Sequence, residues 1–327
     1  MSSRPHLPII PAAFFGMVLG LAGLGGSWRA AHVAWGLPTV IGEALMAVAA
    51  LVWAVLIVLY AWKWIAARPA ARAEVAHPVQ CCFVGLIGVA TMLVAGGVAP
   101  YSRDLALLLY WPGCAFTFGF AIWRTGGLWL GERDPGHSTP VLYLPTVAGS
   151  FVSGTIGAAL GLGDFGQYCF GAGLFGWFAI ESVLLHRMLT APNMASALRP
   201  TLGIQLAPPV VGAVTLIAIA PNAPFVFAHA MVGYGVMQTL IVLRLLPWIL
   251  KEPFAPSYWA FTFGVTALAT APIRLVGLGD SGTVSVLAPV LFVFANGVVL
   301  AVAAGTLIRA AQGRLIPAPA PPAAPAR

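Results

Sequence analysis

Ten apolar runs, each close to twenty residues long, divide this chain, and they constrain its fold more than any motif does. A helix rises about 1.5 Å per residue, so about twenty apolar residues match the hydrocarbon thickness of a bilayer. The runs cover residues 11–27, 38–62, 81–99, 105–123, 141–161, 165–186, 202–220, 224–248, 257–273 and 284–308. Of the 327 residues, 60% are hydrophobic and 8% are charged, with mean hydropathy +0.93. Soluble domains carry about 25% charged residues, so the expected fold is an all-α membrane protein with ten transmembrane helices. The opening stretch, MSSRPHLPIIPAAFFGMVLGLAGLGG, offers only Arg4 as a basic leader and is broken by glycines. It reads as an uncleaved first span rather than a signal peptide.

The spans pair into five hairpins of about sixty residues, the length of one repeated helical unit. Each odd-numbered span opens beside a proline (Pro11, Pro78, Pro140, Pro200, Pro256) and continues in small residues. Residues 1–10 form a short N-terminal segment, 11–309 a single transmembrane domain, and 310–327 a loose Pro/Ala-rich tail. Chain ends and inter-hairpin segments hold Arg4, Lys63, Arg68, Arg72, Arg124, Arg133, Arg187, Arg199, Arg244, Lys251, Arg309, Arg314 and Arg327. The turns within hairpins hold only Arg29, Arg103 and Arg274. Cytoplasmic loops accumulate Lys and Arg, which predicts that both termini are cytoplasmic. The basic surplus is thus a topology signal and not a nucleic-acid footprint.

Several chemistries find no support. Cys81 and Cys82 are adjacent, and Cys114 and Cys169 lie in apolar runs, so buried thiols are expected rather than a disulfide framework. No HExxH, Walker A or CxxC pattern occurs, and the histidines do not cluster at metal-ligand spacing. The string GDSG at 279–282 falls in a short turn between two spans, where no protease domain surrounds it. Neither an enzyme nor a bound metal or cofactor is expected.

The odd spans contain almost no ionisable side chains and many glycines, among them Gly16, Gly20 and Gly149. Small residues let helices approach closely in lipid, so one reading is a solid bundle of five helices. The other is an inner ring around a pore, shielded from lipid by the even helices, with prolines such as Pro145, Pro208 and Pro209 releasing backbone groups toward a cavity. Around Phe263, the residues on its helix face are Ala260, Ala267 and Thr270, with Gly264 adjacent. A single large ring therefore projects from a strip of small side chains.

The blocks FFGMVLGLAGLGGSW, HPVQCCFVGLIGVATMLV, LYLPTVAGSF, FGAGLFGWFAIESVLL, LRPTLGIQLAPP, GYGVMQTLIVLRLLPWI and YWAFTFGVTAL resemble, in order, those of the TehA tellurite-resistance family. That family is related to the plant slow anion channels and to fungal malate and sulfite transporters of the C4-dicarboxylate transporter family. The resemblance covers Pro11 to about Leu307. It implies a homotrimer of ten-helix protomers in a lipid bilayer, each made of five quasi-symmetric hairpins around an uncharged pore for chloride, nitrate or similar anions. It further implies that the phenylalanine matching Phe263 plugs the pore. Phe261 projects about 200° away on the helix and is expected to pack away from the lumen.

A pore without fixed lumenal charge binds anions weakly enough to release them. Attraction is then expected at the mouth, from Arg29, Arg103 and Arg274, although Arg103 beside Asp104 and Arg274 near Asp280 equally fit solvated loop charges. Glu43 and Glu181 lie within apolar runs, where acids are functional suspects, but on even helices placed outside the pore. His186 and His229 carry no assignable role. The alternative function is a coupled transporter or exporter of mono- or dicarboxylates, sulfite or tellurite-type oxyanions.

Overall fold

A computed structural model of the protein describes residues 7–131 and 134–316. Arg4, Arg133, Arg327, most of the N-terminal segment and the tail from 317 onward lie outside the described residues. Twelve α-helices follow one another: α1 (Gly16–Trp35), α2 (Thr39–Ala66), α3 (Arg68–Ala76), α4 (Cys81–Val84), α5 (Leu86–Val98), α6 (Arg103–Trp129), α7 (Gly149–Ala159), α8 (Gly163–Thr190), α9 (Ala207–Ile219), α10 (Val226–Ile249), α11 (Thr262–Gly277) and α12 (Thr283–Ala311). Nine helical segments among the described residues are long and apolar enough to cross a membrane. Gly16–Trp35, 20 residues long, is a further long helix that is not among those nine.

The helices sort into two shells. In the most apolar stretch of Cys81–Val98, Pro140–Ala159, Ser196–Ile219 and Pro256–Gly277, 67–78% of residues are buried. In Thr39–Ala66, Arg103–Trp129, Gly163–Thr190, Val226–Ile249 and Thr283–Ala311 the share is only 17–39%. The less buried helices instead expose Val48, Leu51, Val55 and Val58 on α2, and Val286, Val290, Val293 and Leu300 on α12. Apolar stripes of this kind suit lipid or a protein partner in the membrane. Contacts run from α1 to α5, α5 to α7, α7 to α9, α9 to α11, and from α11 back to α1. The five inner helices therefore close a ring. Each also packs against the long helix that follows it in sequence.

Proline shapes how the inner helices begin. Ala12–Phe15, Ser196–Ile204 and Pro256–Phe261 are 3-10 turns, and Leu144–Ala148 is a π-turn carrying Pro145. Proline lacks the N–H that a regular α-helix needs, so the chain enters through tighter or looser turns before settling into α-geometry. The inner helices thus have an irregular proline end and a regular end where the hairpins turn.

Several boundaries differ from the sequence reading. The first helix extends past residue 27 to Trp35, because nothing breaks it before Gly36, which takes the left-handed conformation at φ 70°. Several outer helices likewise run on into polar residues, α6 to Trp129 and α8 to Thr190. Arg68–Ala76, expected as loop, is a short helix. It is pinned from below: Glu74 accepts from Lys63 Nζ (2.8 Å), Tyr60 Oη (3.0 Å) and the Ala12 amide (2.8 Å). Cys81, Cys82, Cys114 and Cys169 are all buried.

Candidate functional site

The ring of inner helices encloses two cavities, one on either side of Phe263. Toward the hairpin turns lies a wide cavity of about 720 Å³. Toward the proline end lies a narrow one of about 50 Å³, lined almost wholly by apolar side chains including Phe83, Leu144 and Ile204. Phe263 and Val211 line both. The Phe263 ring stands close over Gly23 of α1: a Cβ there would lie 3.4 Å from its Cδ2 and 2.2 Å from Thr266 Oγ1. The ring is half-buried, held by neighbours but reaching into open space. Phe261 is 9% exposed and fills the space over Gly203, stacked on Tyr258 at 6.2 Å. Two residues of sequence separation thus send one ring into the lumen and the other into helix packing.

The residues expected along the lumen divide in two. Gly16, Pro208 and Ala260 line the narrow cavity, and Ala267 and Thr270 the wide one. Gly20, Gly149 and Gly264 do not reach either. A Cβ on Gly20 would meet Thr262 Oγ1 at 2.2 Å, on Gly149 Thr117 Cγ2 at 2.2 Å, and on Gly264 Leu206 Cδ1 at 2.4 Å. These three permit close helix contact, because successive helical residues turn by about 100° and a lumen claims only one face. Sequence reasoning missed Val211, Thr155, Thr266 and Gly23. Thr266 was recoverable, three residues after Phe263 on the same face.

The hydroxyls in the wide cavity are internally committed. Thr266 Oγ1 donates to the Phe263 carbonyl (2.9 Å) and Thr270 Oγ1 to the Thr266 carbonyl (2.8 Å). Thr155 pairs with Thr215 (2.9 Å), and Ser27 with Thr270 (2.7 Å). They add polarity to the wall without adding charge.

The three mouth arginines have separate fates. Arg29 lines the wide cavity but is clamped: Nε donates to Glu43 Oε1 (2.8 Å), Nη2 to Glu43 Oε2 (2.6 Å), and further bonds reach the Gly96 and Gly97 carbonyls. Glu43, expected outside the pore, therefore sits at its rim as the partner of Arg29. Tyr101 Oη also donates to Glu43 (2.6 Å), which raises the phenol above its ordinary value. Arg103 is turned away from the cavity and donates to the Leu160 carbonyl at the end of α7 (3.0 Å). Arg274 lines the wide cavity, half-buried. Asp280, its expected partner, instead accepts from His229 Nε2 (2.5 Å) and the Ser281 amide.

Glu181 lies elsewhere, buried among helices. Its carboxylate accepts from Trp177 Nε1 (2.9 Å), Gln205 Nε2 (3.0 Å), Tyr234 Oη (2.6 Å), Gln238 Nε2 (3.4 Å) and Tyr143 Oη. Neutral donors alone satisfy it, gathered from α8, α10 and the turns leading into α7 and α9. That is a structural clamp joining inner and outer shells. His186 is exposed at the end of α8.

Residues 10–307 match the family described as voltage-dependent anion channel. The chain is 32% identical over 306 residues to a tellurite resistance protein TehA homolog of Haemophilus influenzae, covering 93% of this chain and 92% of that one. It is 25% identical over 318 residues to the S-type anion channel SLAH3 of Arabidopsis thaliana, covering 94% of this chain and 49% of the plant protein. An uncharacterized transporter of Methanocaldococcus jannaschii is 25% identical over 236 residues, covering 63% of this chain and 66% of that one. The chain is a multi-pass membrane protein and belongs to the voltage-dependent anion channel family.

Proposed function

We propose that the protein is a gated anion channel whose path runs through the ring of inner helices and is closed by the Phe263 ring. The observation that carries this reading is the position of Phe263 between the wide and the narrow cavity, lining both. An apolar ring at a constriction excludes water, and an ion that sheds its hydration there gains nothing in return. Small inorganic anions such as chloride and nitrate are the proposed cargo. Among the described residues, the ionisable side chains lining the wide cavity are Arg29 and Arg274, and both are basic. The absence of any carboxylate among the lining residues favours a channel over proton-coupled transport of carboxylates, sulfite or tellurite-type oxyanions, since coupling needs titratable groups along the route.

The basic residues cluster at the proline end, which supports a cytoplasmic position for it. The wide cavity then opens to the periplasm of a bacterial inner membrane, and both termini are cytoplasmic. Following the family resemblance, the assembly is a homotrimer with one path per protomer. Light scattering of the detergent-solubilised protein is expected to give three times the protomer mass after subtraction of detergent.

The decisive experiment is current across a planar bilayer holding the purified protein. Phe263→Ala is expected to raise anion current by about an order of magnitude or more, since removal of the ring joins the two cavities. Currents equal to those of the parent would remove Phe263 from the gate.

A further inference from the structure

We propose that Arg274 is an anion-binding station in the wide cavity, taking monovalent anions with two coplanar oxygens, a carboxylate or nitrate, on its guanidinium fork. The inference deepens the channel reading above and rests on it only for how the anion moves on.

The argument begins with what each arginine at the hairpin-turn end already holds. Arg29 spends its fork on Glu43 and further donors on the Gly96 and Gly97 carbonyls. Arg103 donates to Leu160. The Arg274 side chain makes no hydrogen bond or ion pair with any described residue, although it is half-buried and lines the cavity. Nor does it serve as a cap for its own helix. The carbonyls of Arg274, Leu275 and Val276 are taken by the backbone amides of Leu278, Gly279 and Asp280. The nearest acid in sequence, Asp280, is engaged by His229.

A guanidinium presents five N–H donors, and here no described residue supplies an acceptor for them. The wall of the same cavity includes Ala218, Ile273, Gly277 and Leu278, together with threonine hydroxyls already bonded to their own helices. A single positive charge among low-dielectric walls concentrates anions. The planar fork receives two coplanar oxygens at once, whereas a halide engages it at one point. Arg274 lies eleven residues beyond Phe263, about 16 Å along the helix axis. The station is therefore in the vestibule, well short of the constriction. One fork open to the cavity binds weakly enough to let the anion go.

The test uses the full-length chain in detergent, with thermal unfolding followed as sodium formate, nitrate or chloride replaces a bulky organic sulfonate at constant ionic strength. The parent is expected to be stabilised saturably, with formate and nitrate half-saturating at about threefold or more lower concentration than chloride. Arg274→Gln is expected to abolish the saturable shift. Arg274→Lys keeps the charge without the fork and is expected to retain the chloride response while losing the oxyanion preference. Formate active without nitrate, or the reverse, identifies which source of the oxygens the site takes, and either supports it. A saturable shift in Arg274→Gln equal to that of the parent would overturn the proposal. If Arg274→Gln does not fold, an unchanged oxyanion preference in Arg274→Lys overturns it equally. In bilayers on the Phe263→Ala background, Arg274→Gln is expected to lower the current of anions entering from the wide cavity several-fold. Anion binding lost with Arg274→Gln, but with no current in any variant, upholds the station and removes the conduction reading instead.

Discussion

At the residue scale, the proposed gate turns on which of two neighbouring rings meets open space. Phe261 is packed against Gly203 and Tyr258, while Phe263 borders both cavities. Phe261→Ala is expected to cost about 3–5 kcal/mol, as for a buried ring leaving a cavity, without raising current. Phe263→Ala is expected to cost less and raise current. Thermal unfolding and bilayer recordings on the two variants separate these roles. Glu181 is a different kind of residue, five donors converging on one carboxylate. Glu181→Gln replaces an acceptor oxygen by an NH₂ that faces those donors, and unpaired buried groups cost about 1–3 kcal/mol each. A lowered unfolding midpoint with unchanged anion selectivity is expected. The acid itself was visible in the sequence as an anomaly in an apolar run. Its partners were not, because Tyr143, Gln205, Tyr234 and Gln238 sit far along the chain and only folding gathers them.

At the element scale, helix pairs approach where side chains vanish. Gly88 of α5 and Gly113 of α6 face each other so closely that a Cβ on Gly88 would lie 2.5 Å from the Gly113 carbonyl oxygen. Backbone cannot yield as a flexible side chain does, so Gly88→Ala is expected to destabilise by about 1–3 kcal/mol. Gly119→Ala on the same hairpin meets nothing within 4 Å and is expected to gain about 0.5–1 kcal/mol from helix propensity. Thermal unfolding of the two variants gives opposite signs if the contact is as described. Hairpin pairing was legible from proline spacing, whereas α3 was not. Its nine residues hold three charges and no long apolar run, and it is fastened by Glu74 to Lys63 and Ala12. Glu74→Gln leaves the Lys63 ammonium buried without its counter-charge. The expected loss is about 3–5 kcal/mol, read in the same unfolding assay.

At the scale of the whole molecule, charge carries the proposed orientation and burial sets the shells. Arg72 on α3 and Ser281 in the last hairpin turn are both exposed and lie at opposite ends of the bundle. The native cysteines are buried, so background labelling is low. Arg72→Cys is expected to react with a membrane-impermeant thiol reagent only from the cytoplasmic side, and Ser281→Cys only from the periplasmic side. The reverse pattern would invert the proposed topology and move the wide cavity to the cytoplasm.

The sequence by itself determined the solvent, the number of long helical runs and their pairing. Those follow from local hydropathy, proline position and the distribution of Lys and Arg, which need no tertiary context. The tertiary structure alone decided which face of each inner helix borders the cavities and which glycines serve packing. It also decided that Arg29 is neutralised by Glu43 while the Arg274 side chain is left without a partner among the described residues. Such assignments depend on contacts between residues tens to hundreds of positions apart. Periodicity gives a helix its faces, but only its neighbours decide what each face meets.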